Sequence, residues 1–386
     1  MAKKRLPVPA SAPAAPDALS KTEEKVFYAS QWRLMWWKFR KHRVAVIAGT
    51  VVILMYLGAL FAPFIAPYGA THRDRGNTYM PPQKIRFWDE NGFSWRPFIH
   101  PVKLTMDLQT FQRVYTEDTS RRIYIKFFVR GKSADDAYKL FGLFKTNIHL
   151  FGVDEGYIHL FGTDDLGRDV FSRVMYGGQI SMSIGLAGVF LSLILGLILG
   201  GISGYYGGVV DNIIQRLIEV IRSFPQIPLW MALSAAIPPD ISPTLVYFGI
   251  TIILSFIGWT ALGRQIRSKV LALKNEDFIV AARLAGTSEP KIILTHLIPS
   301  FMSHVIASLT LNIPSMILAE TSLSFLGIGL RSPVVSWGVM LQQAQNVHTI
   351  SMAPWLLIPG IFVIIYVLAF NFLGDGLRDA ADPYGN

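Results

Sequence analysis

Charged side chains are scarce in this chain, so the few that cluster are where chemistry would be sought. Residues 161–185, FGTDDLGRDVFSRVMYGGQISMSIG, set Asp164, Asp165 and Asp169 beside Arg168 and Arg173. Such an acidic group could be a metal or substrate site. Asp near a helix start is equally favoured by the helix dipole, and a capped amphipathic helix at the outer surface is the preferred reading. Arg216, Glu219 and Arg222 repeat at three-residue spacing on one helical face, as a self-neutralising cluster or a gating element would. Glu320 sits in an apolar run. An intramembrane carboxylate ordinarily faces a cavity or a partner, which makes it a solute-path candidate, although near the outer end of a span it would simply cap or pair. His72, His100, His149 and His159 lack the tight spacing of a metal site, and no metal ligands are assigned.

The segment Asp277 to Pro299, DFIVAARLAGTSEPKIILTHLIP, is the most specific in the chain. Glu276 to Leu284 suits a short helix, Gly286 supplies a position free of a Cβ penalty, and Ser288 can cap a second helix opening with Glu289 and Pro290. Small Ala281 and Ala282, next to Arg283, would let such a helix seat deeply against a partner. No nucleotide-binding G-x-x-x-x-G-K-[ST] occurs, nor G-x-S-x-G or H-E-x-x-H, so neither ATP hydrolysis nor an intramembrane hydrolase is expected. The absence of cysteine excludes a thiol nucleophile, disulfides, cysteine-zinc sites and iron-sulfur clusters.

The elements that must position these residues lie in a membrane. With 386 residues, 51% hydrophobic and only 16% charged, the chain is too apolar for one soluble domain. Several uncharged stretches exceed the roughly 20 residues that cross a hydrocarbon core. Six spans are expected: about 44–66, 180–204, 209–237, 241–263, 292–320 and 353–371. Gly185, Gly188, Gly196, Gly200 and Gly204 form a small-residue seam in the second, as helices packed closely in lipid require. Residues 1–43 carry ten Lys/Arg against three Asp/Glu, which places the N-terminus inside, and six spans return the C-terminus inside as well. The net charge of +10 is therefore topological, with no compact basic module for nucleic acid.

The expected organisation starts with a cytoplasmic tail and interfacial helix over 1–43. The Pro/Ala-rich stretch 6–19 carries no fold, Ser20 and Glu23 have capping-box spacing, and Trp32, Trp36 and Trp37 precede a basic cluster. The first span occupies 44–66. An outer insert with an amphipathic segment follows over 67–179, where alternation in RRIYIKFFVRG (Arg121 to Gly131) suits a half-buried strand. A five-helix core spans 180–376 and contains a basic cytoplasmic loop, 264–299; a tail, 377–386, ends the chain.

The chain resembles the membrane permeases of ABC importers. Their cytoplasmic loop carries Glu-Ala-Ala, three residues, Gly, nine residues, then Ile-x-Leu-Pro. Here Ala281, Ala282, Gly286 and the run His296-Leu297-Ile298-Pro299 keep that spacing, while Val280 replaces the glutamate and His296 the first apolar residue. The segment Gly162, Thr163, Asp164, Gly167, Arg168, Asp169, with GYYGG (Gly204 to Gly208), Asp211, ETSLSFLGIGL (Glu320 to Leu330), SWGVML (Ser336 to Leu341) and GDGLRDAADP (Gly374 to Pro383), is similar to the dipeptide/oligopeptide/nickel class and to its C-type subunit. Residues 67–160 resemble the extended loops of some members.

That resemblance implies an all-α polytopic type I importer permease with a small mixed or β-containing periplasmic insert, multi-pass in the bacterial inner membrane. It implies a second homologous permease, two ABC ATPases and a periplasmic substrate-binding protein as partners, within membrane lipid. It also implies ATP and Mg on the ATPases rather than on this chain, and the 281–299 loop as the coupling segment. Short peptides are the expected cargo, with oligosaccharides, opines or a nickel chelate as alternatives. An ATP-independent channel or carrier is the reading that loop argues against.

Overall fold

A computed structural model describes residues 31–106, 113–133, 136–140, 142–238 and 240–381. The expected unstructured stretch 6–19 and the Ser20/Glu23 capping box lie outside them. The amphipathic helix α1 (Gln31–Lys41) ends in the basic cluster and leads into α2 (Arg43–Leu60), the first span. The short α3 (Ala62–Ile65) closes it, with Pro63 in its first turn.

The insert is built from antiparallel strands: β1 (Arg86–Asp89), β2 (Gly92–Ile99), β3 (Val102–Met106), β4 (Arg113–Glu117), β5 (Ile123–Tyr124), β6 (Lys126–Arg130), β7 (Tyr138–Leu140), β8 (Phe144–Thr146) and β9 (Ile148–Gly152). They pair as β1-β2-β5, β3-β4, β6-β9 and β7-β8. The alternating stretch Arg121 to Gly131 thus becomes two strands that join different sheets. Tyr68, Ile99, Ile125, Val153 and Ile158 form the insert's core.

Helix α4 (Val170–Tyr206) is continuous and starts ten residues before the boundary expected at 180, so part of the supposed surface segment belongs to the second span. It runs beside α7 (Pro243–Leu273). Tyr247 donates to Ser183 Oγ at 3.1 Å, Ser255 Oγ lies 3.0 Å from the Gly188 carbonyl, and a Cβ at Gly200 would strike the Gly263 backbone. Both numbers rise together, so the two helices are parallel, and the chain between them must cross back.

It does so in two pieces, α5 (Gly208–Ser223) and α6 (Gln226–Ala235). Asp211 pairs with Arg267, Ile218 and Ile221 pack with Ile257 and Trp259, and Ile237 lies over Gly249, a descending order along α7. The single span expected over 209–237 is therefore broken. Pro225 has no N–H to continue a helix and forces Phe224 into extended backbone, with ψ 140°. Among the described residues five helices are long and apolar enough to span by themselves, and the α5–α6 pair supplies the sixth crossing.

The short helix α8 (Asp277–Leu284) follows α7. Helical turns over Glu289–Lys291, Ile292–Leu297 and Ile298–Ser300 lead to α9 (Met302–Phe325), so the fifth span starts later than expected. The helix α10 (Trp337–Gln342) packs at the outer end, and the last span runs Pro354–Ala381, with α11 (Ile358–Ala381) as its regular part. It continues past the tail boundary expected at 377. Tyr56 of α2 and Tyr366 of α11 share a hydrogen bond of 2.6 Å, which ties the first span to the last.

Candidate functional site

At the inner end of the bundle, α8 ends in a turn made by backbone bonds. Gly286 N–H donates to the Arg283 carbonyl at 3.0 Å, and Thr287 N–H donates to the Ala282 carbonyl at 3.1 Å. This pairing is the glycine-terminated C-cap known as the Schellman motif. Gly286 has φ +78° and open space where a Cβ would stand, so its requirement is conformational rather than steric. Ile279 anchors the helix in a core with Val270, Ile292 and Leu297, while Arg283 lies over the Tyr205 ring at 5.9 Å. The opposite face is bare: Leu284 is 84% exposed, and Phe278 and Val280 are exposed too. An apolar face held outward on a rigid short helix is what a protein partner would cover. Ser288 precedes the next turn as expected but makes no side-chain cap, and Pro299 is exposed in the last short turn.

Below α8, Asp211 accepts both Arg267 Nε at 2.6 Å and Arg267 Nη2 at 2.5 Å, and also the Ser203 hydroxyl at 2.5 Å. These bonds tie the inner ends of α4, α5 and α7 together. Of the neighbouring cluster, Arg216 and Glu219 form an exposed pair at 2.9 Å, and Arg222 is exposed in the last turn of α5. Arg216 and Glu219 both lie in a membrane crossing, where an opposite-charge partner offsets the cost of each charge.

Glu320 lies inside the packed bundle. It is fully buried, and Ser181 and Ser324 donate to it at 3.0 and 2.8 Å. Those hydroxyls in turn accept backbone N–H groups from Trp337 and Leu330 at 3.2 and 3.0 Å. In this geometry the carboxylate is paired, and it organises the loop beyond α9.

The 162–169 segment is also internal. Asp169 caps α4, accepting from Ser172 N–H at 2.7 Å, as its place near a helix start suggests. Asp164, however, is buried and bonded by Arg168 Nε at 2.7 Å and by Arg173, so these residues do not line an exposed amphipathic face. Thr163 accepts from Met80 N–H at 2.8 Å, and its carbonyl accepts the Trp355 indole at 2.9 Å. Gly162 and Gly167 take φ +74° and +71° against the backbone of Met80 and Asp74. The segment is a knot joining insert, α4 and the last span. Spacing alone could not show that its partners come from residues 74–83 and 355.

The histidines are buried in carboxylate and carbonyl partnerships. His159 lies between Asp169 at 3.0 Å and Asp74 at 3.5 Å, and His72 lies beside Asp136 at 3.2 Å. Burial disfavours the charged His159 ring, but the hydrogen bonds and charges of Asp169 and Asp74 outweigh it and raise its pKa to about 9. Burial alone would raise Asp74, yet bonds from His159 and Asn77 lower it below the usual carboxylate value. Among the described residues no group of His, Asp and Glu is arranged to hold a metal ion.

Residues 192–384 match the family described as binding-protein-dependent transport system inner membrane component, and residues 30–82 match the N-terminal membrane domain of oligopeptide transport permease C. The chain belongs to that transport family. A dipeptide transport system permease of Alkalihalophilus pseudofirmus is 40% identical over 220 residues, 57% of this chain and 70% of the relative. An oligopeptide transport system permease of Haemophilus influenzae is 42% identical over 218 residues, 56% of this chain and 68% of the relative. A glutathione transport system permease of Salmonella typhimurium is 33% identical over 353 residues, 91% of this chain and 90% of the relative. The protein is a multi-pass inner-membrane permease subunit of a binding-protein-dependent ABC importer, of the dipeptide/oligopeptide class.

Proposed function

We propose that this permease forms half of a translocation pathway for short peptides, paired with a second homologous permease. A periplasmic binding protein delivers the cargo, and two separate ABC ATPases, which carry the ATP and Mg, drive it. The observation that carries the coupling is the outward apolar face of α8, locked by Gly286 at the inner end of the bundle. Closure of the ATPases pushes on α8, and its anchor through Ile279 passes that motion to α7 and to the turns before α9. Alternating access follows when the two permeases rock between inward- and outward-open states. The peptide assignment is supported by the named cargo of the dipeptide and oligopeptide relatives.

Uptake by vesicles holding this chain, its partner permease, the ATPases and the binding protein tests both parts. ATP-dependent accumulation of peptides from a mixed pool of peptides and oligosaccharides is the expected result. Uptake of the oligosaccharides alone would keep the machine and change the cargo. Flux without ATP would overturn the coupling.

A further inference from the structure

A second site lies halfway along the helices. A cavity of about 170 Å³ opens between α4, α6, α7 and α9. Its polar lining comes from Ser192, Gln226, Trp230, Thr260, Asn312 and Ser315. Asn312 sits ten residues into α9, about 15 Å along its axis, and Ser192 and Thr260 are similarly far from the ends of α4 and α7. The cavity is therefore at mid-membrane depth.

Three features set it apart. Gln226 and Trp230 share one face of α6, four residues apart, and Asn312 and Ser315 share one face of α9, three apart, so two helices turn polar side chains to the same space. Ser192 and Thr260 spend their hydroxyl protons on the carbonyls of Ser255 and Ile257, at 3.1 and 2.8 Å, which leaves their oxygens as acceptors. The Trp230 indole N–H is buried with no acceptor among the described residues. Carboxamides and an unmatched indole N–H turned toward hydrocarbon would each be costly, so they belong to a path that a polar solute or water enters. The break at Phe224–Pro225 brings Gln226 to this depth, since a continuous helix would have carried the charged face of α5 onward.

We infer that this cavity is a solute subsite of the translocation path, recognising uncharged amide groups. The inference rests on the peptide-import reading above. Gln226 and Asn312 each offer amide donors and a carbonyl acceptor, the pairing a peptide bond requires, and no charged side chain lines the space. Peptides of differing side-chain charge can therefore pass, held by the backbone they share. The volume admits a residue or two, so a longer peptide threads through segment by segment.

The chain has no native cysteine, so labelling read on this chain after the subunits are separated reports the introduced residue alone. In assembled vesicles, Asn312→Cys and Ser315→Cys should react with a small water-soluble thiol reagent, and Ile53→Cys, exposed on α2, which does not line the cavity, should not. Adding ATP and tripeptide-loaded binding protein should suppress labelling at 312. Asn312→Leu should lower tripeptide uptake efficiency about three- to tenfold, the loss of one neutral hydrogen bond, with Asn312→Gln recovering part of it. Labelling at 312 no faster than at 53, or unaffected while the same vesicles accumulate tripeptide, would overturn the subsite and leave the peptide importer standing. Protection at 312 by a transported sugar but not by tripeptide would overturn the amide assignment together with the peptide reading.

Discussion

His159 Nδ1 bonds Asp169, the residue whose other carboxylate oxygen caps the second membrane span, so one buried imidazole joins the periplasmic insert to the start of α4. Asp74 holds the other ring nitrogen. The insert is thus pinned to the bundle by a charged, buried contact at the outer end of a spanning helix.

That contact makes stability depend on pH. The folded pKa of His159, about 9, lies above its ordinary 6.5, so its stabilisation is complete below about 6.5 and is lost as pH rises through 9. Asp74 shifts the other way, and its share is present above 3.8 and lost as pH falls below that value. Limited proteolysis of the insert in the purified complex should be slowest between these limits and quicken toward pH 9. His159→Gln should flatten the alkaline side and cost about 2–3 kcal/mol at pH 6. An unchanged alkaline limb in that variant would remove His159 as its source.

Gly286→Val should abolish productive coupling. A β-branched side chain at φ +78° is strained, and the turn presenting α8 would reopen at a cost of about 1–3 kcal/mol. Because nothing crowds the position, Gly286→Asn should be tolerated much better. ATPase co-purification and substrate-stimulated hydrolysis should fall for Val and persist for Asn, with membrane insertion equal in both. Wild-type transport by the Val variant would remove α8 from the coupling path.

The spans and the turn after α8 were legible because both rest on local physics: uninterrupted apolar length, and a glycine between two short helical stretches. Gly286 behaves as its type predicts. The third crossing was less legible, since hydropathy averages across Phe224 and Pro225 while the backbone cannot. Glu320 and Asp164 were hard to read for a different reason. Their partners, Ser181 and Arg173, are supplied by tertiary packing, and an isolated carboxylate in a sequence gives no sign of whether hydroxyls or guanidinium groups will reach it. Gln226, Asn312 and Ser315 carry little signal in the sequence because uncharged polar residues are common in spans. Only their convergence from two helices marks them, although a polar residue on the face of an interrupted span was a usable sign.

Gly200 sits where α4 and α7 touch backbone to backbone, and any Cβ there would run into the Gly263 carbonyl. Gly200→Ala should lower the thermal stability of the detergent-solubilised chain, and Gly200→Leu should prevent assembly, consistent with overpacking costs of about 1–3 kcal/mol or more. Circular dichroism melts and size-exclusion profiles would show this. A Leu variant with wild-type stability would mean the two helices are not in close contact in the membrane.

The parallel run of α4 and α7 fixes a return crossing by α5 and α6, and cysteine labelling tests it. Lys132→Cys, in the insert, should react with an impermeant reagent added outside intact cells. Lys291→Cys, beyond α8, should react only after permeabilisation. External reaction at 291 would mean that 207–242 does not cross, and the bundle would have to be reordered.

Glu320 is best tested by separating stability from transport. Glu320→Leu removes the acceptor for Ser181 and Ser324, which also hold the Trp337 and Leu330 backbone amides, so the outer loop after α9 loses its organiser. Leaving those buried groups unmatched should cost about 1–3 kcal/mol, while Glu320→Gln keeps an acceptor and should cost less. The expected pattern is a lower melting temperature with an unchanged KM for peptide in the complexes that assemble. A changed KM or altered solute preference at wild-type stability would instead put the carboxylate on the solute path, in an outward-open state where α9 and α4 separate around Ser181.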